Sequence, residues 1–408
     1  MKKLIILALI LIPLLTACQK DFNVIINNPL AIDRNNEMVE IDFDLISNQL
    51  TLSKGESFII KNASGEEVPY QITHNKKVIF QACVKAKGNT SFNILKGTPQ
   101  QYKTKVCGKV YKERMDDLAW ENDLMGFRAY GPTLQKKGER AFGYDLFAKR
   151  GTTEPVLEKM YAKECDEAAW AKFRELNKKN PEAAQKWRKA ITYHSDRGHG
   201  MDCYAVGPTL GAGVAALLDG EEISYPWCYK TCEILDNGPL RFSARLVFTP
   251  LQYKDNQVIE TRIITLDAGS HMNRTTISYD GLKGAVPIVS GIVLHQGSDL
   301  VSTNSAKAYI TYQDPTTGPD QGLLFLGHVH PKPVKDTRVV YFSEEEMKSR
   351  NNAKGHVLAE STYEPDSEFV YYWGFGWNRS DVKDFTAWNN YVEEFTEKIK
   401  SPLTITFN

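Results

Sequence analysis

The feature that most limits what this chain can become is a succession of short alternating runs, separated by Gly, Asn, Asp and Pro turns, that extends from residue 37 nearly to the end. In Arg241-Phe242-Ser243-Ala244-Arg245-Leu246-Val247-Phe248 the residues Phe242, Ala244, Leu246 and Phe248 fall two apart, so one face of an extended strand is apolar. Further β runs occupy 258–267, 274–279, 286–294, 307–312, 323–329, 338–342 and 368–373. So many strands at this spacing predict a large antiparallel sandwich and argue against a βαβ fold.

The same pattern begins earlier on a smaller scale. Met38 to Leu45 alternates apolar with acidic, and Ser57–Ile60, Val68–Ile72 and Lys77–Val84 follow between turns. The expected fold is therefore mainly β: a small N-terminal β-sandwich over 22–99, a polar connector over 100–113, and a large antiparallel sandwich over 114–408. Two helical tracts interrupt it. Over 154–190, Val156, Met160, Trp170, Phe173 and Leu176 recur at helical spacing, and Asn180-Pro181 supplies a cap and first residue for a second helix, so a flap with core-facing aromatics is expected. At the end, Phe385, Trp388, Val392, Phe395 and Ile399 step by three and four, which predicts a terminal helix laying one apolar stripe on the sandwich.

The first 18 residues read as a leader: Met1-Lys2-Lys3 is basic, Leu4–Leu15 is apolar and too short to span a bilayer, and Leu15-Thr16-Ala17-Cys18 has the form of a lipoprotein cleavage site with Cys18 as the acylated residue. Gln19, rather than Asp, follows the cysteine. The expectation is a bacterial outer-membrane lipoprotein, facing the periplasm or the cell surface. With 408 residues, 42% apolar, 25% charged and no formal net charge, the rest can bury a sizeable core and carries no polybasic surface for nucleic acid. Cys228 and Cys232 read as a disulfide or free thiols, since no second close pair completes a metal site.

Chemistry concentrates in Tyr193-His194-Ser195-Asp196-Arg197-Gly198-His199-Gly200-Met201-Asp202-Cys203-Tyr204, where imidazoles, carboxylates, phenols and a guanidinium fall within a dozen positions. A second tract, Arg114–Asp123 leading into Met125-Gly126-Phe127-Arg128-Ala129-Tyr130-Gly131-Pro132, resembles, together with the first, the lipoprotein family catalogued as domain of unknown function 4861. That resemblance covers nearly the whole mature chain and implies no chemistry. A Glu-Asn pair before a strand carrying Arg, with Asn237-Gly238-Pro239-Leu240-Arg241 feeding a long strand, also resembles the galactose-mutarotase-type β-supersandwich of many sugar enzymes. That likeness implies a carbohydrate substrate.

These groups suit β-elimination on a uronic-acid-containing glycan: Tyr193, His194, His199 and Tyr204 as candidate base and acid, with Glu121, Asn122, Arg128, Arg197, Asp202 and Arg241 as substrate-binding residues, the arginines gripping the carboxylate. His199, between glycines, is the expected proton-transfer group, and His194, near Asp196, the orienter. Glycoside hydrolysis is the alternative, with Glu121, Asp123, Asp196 and Asp202 as the available carboxylates. A non-catalytic protein stacking sugars on Trp373, Phe375 and Trp377 is a third reading. No cofactor is expected; Asp196 with Asp202 could hold Ca²⁺, and His328-Val329-His330 has the spacing for zinc but lacks a third ligand.

Overall fold

The computed structural model describes residues 22–407, and the leader and Cys18 lie outside them. Alternation in Arg241–Phe248 is realised as a strand whose Phe242, Ala244, Leu246 and Phe248 are buried on the inner face of a nine-stranded sheet. Its main path runs Tyr229–Asn237, Arg241–Phe248, Asn256–Asp267, Met272–Asp280, Phe369–Trp377, Leu324–Val329, Tyr309–Asp314, Val301–Asn304, with Leu251–Tyr253 paired off the path. Every ladder in it is antiparallel.

Two five-stranded antiparallel sheets cover that inner face. One is Glu222–Ser224, Val214–Asp219, Val286–Leu294, Gly355–Tyr363, Asp336–Tyr341; the other is Gly200–Asp202, Asp145–Lys149, Gly126–Ala129, Asp117–Glu121, Cys107–Tyr111. The last of these strands ends the tract read as a connector. Between the layers Tyr144 stacks on Trp373 with centroids 4.2 Å apart, and Phe127 meets Trp373 edge-on at 5.1 Å. Such pairs add to the large apolar area each ring buries. The indoles are satisfied as well: Trp120 Nε1 donates to Asn273 Oδ1 and Trp373 Nε1 to Thr275 Oγ1, both at 2.8 Å. Trp373, Phe375 and Trp377 are at most 2% exposed, so this aromatic run is core and not a sugar platform.

The outer face of the nine-stranded sheet carries two attachments. At one end sits the small sandwich, with sheets Thr404–Phe407, Phe22–Asn27, Asn89–Lys96, Phe58–Asn62 and Arg34–Asp42, Lys77–Val84, Tyr70–Ile72 around their own core of Val24, Ile41, Ile60, Phe80 and Ile94. Its edge is completed by the chain's last strand, Val24 lying opposite Phe407. Where alternation through Leu45 predicts continued strand, Phe43–Leu50 is a helix, because Ile46 and Leu50, one turn apart, both reach the core. The other attachment is the helix Phe385–Lys400, capped by Asp384 (Ala387 N–H, 2.8 Å), which buries Trp388 and Val392 and half-buries Phe385, Phe395 and Ile399.

The helical tract forms Leu157–Glu164, Glu167–Lys179 and Pro181–Ile191. Asn180 caps the last, accepting from Ala183 N at 3.0 Å with Pro181 at its first position. The first helix enters the body through Leu157, Met160 and Tyr161, and Pro181–Ile191 buries Ala184 and Ile191. Glu167–Lys179 has no buried residue: Trp170 packs on Phe173 (5.6 Å), Trp187 Nε1 donates to Ala169 O (2.9 Å), and Lys172 lies 3.8 Å over the Trp187 ring. These aromatics hold a projecting hairpin together instead of filling the sandwich core. The six cysteines of the described residues are free, Cys228 and Cys232 included.

Candidate functional site

The stretch from Tyr193 to Tyr204 is shaped by one carboxylate. Asp196 Oδ1 accepts from Gly198 N (2.8 Å) and Gly200 N (3.1 Å), and Oδ2 accepts from Arg150 Nε (2.6 Å). Burial works against its charge, but these donors outweigh it and leave its pKa below the ordinary value. Gly200 has φ +110°, and a Cβ there would strike the Ala148 carbonyl, so only glycine closes the turn. The turn delivers Gly200–Asp202 as an edge strand against Asp145–Lys149, while Arg128 sits in register with Asp145 on the next strand.

This register gathers a buried ionic cluster. The Arg128 guanidinium pairs with Asp145 and with Asp202 (3.0 Å), and stands 3.7 Å from Asp117. It donates to Tyr193 Oη at 2.8 Å, while the Tyr130 hydroxyl donates to Asp145 at 2.7 Å. Burial pushes the Asp117 carboxyl up to about 6 against the pull of Arg128 and Arg114; burial, then the charge of Asp145, pushes Asp202 up to about 6. Both oxygens of Asp117, Oδ1 of Asp202 and the hydroxyls of Tyr161 and Tyr204 have no hydrogen-bond partner. His194 forms the rim, half exposed, its Nδ1 3.2 Å from the Asp202 carbonyl. Asp117, Asp145, Asp202 and Tyr193 are each at most 1% exposed, so the cluster ties strands together and offers no surface to a polymer.

The remaining sequence candidates do not join it. Glu121 accepts from Lys149 Nζ (2.9 Å) and from the N–H groups of Val156 and Leu157, pinning the start of the first insert helix from inside the protein. Asn122 spends its amide on the Asp267 and Ser270 carbonyls and its oxygen on Leu124 and Met125 N–H. Arg197 donates to Ala190 O at 2.6 Å, at the end of the last insert helix. His199 shares the charged surface of Arg197, Lys163 and Lys159, where burial and then these cations lower its pKa. With Asp196 held by Arg150 and Asp202 by Arg128, the two acids do not converge as calcium ligands. His328 and His330 both bond Ser290 Oγ (3.1 and 2.9 Å), and burial lowers them to about 4 and 3, which makes them neutral core groups. Among the described residues no three His, Cys, Asp or Glu side chains are grouped to hold a metal ion.

Arg241 belongs to a different place. Between the small sandwich and the terminal helix the nine-stranded sheet is uncovered, and its outer face floors a cleft of about 670 Å³. Ser243, Thr265, Arg274, Thr276 and Tyr372 form the floor; Glu37, Glu40 and His74 line one wall, Tyr391, Phe395 and Lys398 the other. Arg241 makes two bonds to Asp267 (2.6 and 2.8 Å) and a third to Glu40 (2.7 Å), joining the sheet to the small sandwich. Across the same junction Asp236 accepts from the His74 backbone N–H and lies 2.7 Å from its Nδ1. That buried carboxylate places the imidazole proton on Nδ1 and leaves Nε2 as the ring's proton acceptor. Glu37 accepts from Arg34 (2.8 Å) through one oxygen, its other oxygen has no partner, and burial raises its pKa despite Arg34.

Sequence reasoning passed over Glu37, His74 and Asp236, which fall at a strand bulge, a turn and a strand end far apart in the chain. The acidic side of the Met38–Leu45 alternation marks Glu40 on this wall, but no local pattern marks Glu37, His74 or Asp236.

A layered antiparallel sandwich with a smaller sandwich docked on its outer face defines the class of protein. The chain belongs to the family described as domain of unknown function 4861 (DUF4861), whose model matches residues 26–405. A curated relative, "Uncharacterized protein P7" of Formosa agariphila, is 26% identical over 339 residues, 80% of this chain and 77% of that one. Among solved structures, a glycosyl hydrolase family 38 protein from Enterococcus faecalis superposes with a TM-score of 0.50 and an α-mannosidase from the same organism with 0.47, both at 8% identity. Each covers 95% of this chain, which spans only 47% and 46% of theirs, and the likeness to the first is one of fold.

Proposed function

We propose that the protein is a carbohydrate-active enzyme that hydrolyses a glycosidic bond in the cleft between its two sandwiches. The observation that carries this reading is that two carboxylates three positions apart on one strand, Glu37 and Glu40, both line that cleft, each ion-paired to an arginine through one oxygen. Burial raises the pKa of Glu37 despite Arg34, the direction a general acid needs, and the more exposed Glu40 is the candidate base or nucleophile. The fold shared with a family 38 glycosyl hydrolase is a scaffold, and the chemistry rests on the cleft.

A second reading, β-elimination on a uronate-containing glycan, is favoured by one arrangement in the same cleft: His74 oriented by Asp236 as base, with Arg274 and Tyr372 on the floor as carboxylate clamp and acid. The two are separated by incubating a soluble form, Cys18 removed, with neutral and acidic oligosaccharides while following reducing ends and ultraviolet absorbance together. Hydrolysis gives reducing ends alone; elimination adds the chromophore of a conjugated uronate; neither signal on any substrate refutes enzymatic cleavage. The proposal includes the compartment: acylated Cys18 tethers the enzyme to the outer membrane, and Cys18→Ala releases it folded into the soluble periplasmic fraction.

A further inference from the structure

We propose that the opposite side of the large sandwich carries a second, non-catalytic glycan-binding site, which keeps a polymeric substrate on the enzyme. It rests on the carbohydrate reading of the cleft. The five-stranded sheet running from Glu222–Ser224 to Asp336–Tyr341 turns its outer face away from the cleft, and its two edges close over that face to leave a trough of about 510 Å³. His356 and Leu358 form the floor, and Arg338 reaches across to Glu221 at 3.3 Å to join the edges.

Aromatic rings lead out of this trough, Tyr225 and Phe342 lining it and Phe142 and Trp227 lying beyond its lining. Trp227 lies 6.5 Å from Phe142, Phe142 stacks on Tyr225 at 5.2 Å, and the Arg350 guanidinium is sandwiched between Tyr225 and Phe342, 4.9 Å from each centroid. Tyr341 also borders the trough, with Lys354 Nζ 5.5 Å over its ring. The exposed rings are Trp227 at 42% and Tyr341 at 61%. Exposed aromatics beside one groove present apolar faces on which a ligand can stack.

The chemistry of the walls selects a sugar chain. A pyranose presents an apolar C–H face, which lies on an aromatic ring, and an equator of hydroxyls, which needs planar donors and acceptors beside that ring. Here Arg338 and Arg350 supply donors, and Glu221, Glu222 and Glu346 supply acceptors, all lining the trough. Arg350 is held by the Pro208 carbonyl (2.7 Å) through Nη1, while its buried Nε has no partner. Floor polarity is spent internally: Leu210 N–H donates to His356 Nε2 at 3.2 Å, and burial lowers that imidazole to about 3, so it stays neutral and contributes shape.

The test is native electrophoresis of the soluble chain through gels cast with galactomannan, xyloglucan, polygalacturonate or alginate, with Glu37→Gln included so that no gel is digested. The expected result is retardation in at least one gel, weakened roughly tenfold or more by Trp227→Ala and by Tyr341→Ala, the loss of one stacked ring each. Hydrolysis of short oligosaccharides by Trp227→Ala in the otherwise unaltered chain should equal that of the parent. Mobility unretarded in all four gels, or retardation that survives the double variant, overturns the site. A chain retarded through Trp227 that cleaves nothing keeps the trough and removes the cleft reading; cleavage with retardation indifferent to Trp227 does the reverse.

Discussion

The Arg128 cluster and the cleft between the sandwiches are built from the same kinds of side chain and differ in what surrounds them. Around Arg128, three aspartates and the tyrosines at 130 and 193 meet within one five-stranded sheet, closed to solvent, with only His194 at the surface. In the cleft, Glu37, Glu40, His74, Asp267 and Arg241 come from two sandwiches and line an open groove. A dense run of titratable residues marks a buried network as readily as it marks chemistry. Access separates the two, and access is created by docking one domain on another.

Substitutions sharpen that difference, beginning with the one of greatest effect. Arg128→Met leaves Asp117, Asp145 and Asp202 buried without their cation, and it should cost about 3–5 kcal/mol, read from the denaturant midpoint of unfolding. A midpoint near that of the parent would show that the cluster is solvated. In the cleft wall, His74→Ala leaves Asp236 without its imidazole and should cost roughly 1–3 kcal/mol, the expense of an unsatisfied buried acceptor. The loss should fall on the junction, so hydrogen exchange should quicken in Tyr70–Ile72 and Tyr229–Asn237 before it does in the sandwich cores.

Asp117→Asn tests the sign of the buried electrostatics. The folded pKa of Asp117, about 6, lies above its ordinary 3.8, so between these values the native state holds more protons than the unfolded chain. That contribution to stability is full below the lower value and is lost as pH rises through the upper one. The amide should therefore raise the melting temperature near neutral pH, with the gain vanishing toward about pH 4. A variant equally destabilised at both pH values would mean that the charge of Asp117 is needed by Arg128. Smallest of all, His199→Ala, on a surface loop among cations, should leave turnover unchanged and shift stability by no more than about 0.5 kcal/mol. A large fall in turnover would return the motif to the centre of the chemistry.

Much of the fold is legible in local pattern. Strand 286–294 falls where alternation puts it, the apolar face of Arg241–Phe248 is buried, and the terminal helix lays down the stripe of Trp388 and Val392. Local pattern fails where a long-range partner decides. Phe22–Asn27 and Asn89–Lys96 become strands by pairing with each other and with the strand Thr404–Phe407, and Trp170 packs on Phe173 and donates to the Glu164 carbonyl instead of joining the core. The candidate site divides the same way. Convergence of Arg128 with Tyr193, Asp202 and His194 follows from neighbouring strands of one sheet. The meeting of His74 with Asp236, 162 positions apart, depends on how one sandwich docks on another, which no spacing encodes.

The central claim, that the cleft and not the motif is the catalytic centre, is tested most directly by kcat/KM of Glu37→Gln on whichever oligosaccharide the parent cleaves, with its melting temperature recorded alongside. The change keeps the shape of the side chain and removes its proton. The account predicts a fall of roughly 10²–10⁴, as for loss of a general acid, measured well below a melting temperature that drops as buried Arg34 loses its anionic partner. A Glu37→Gln enzyme of unchanged kcat/KM would contradict it.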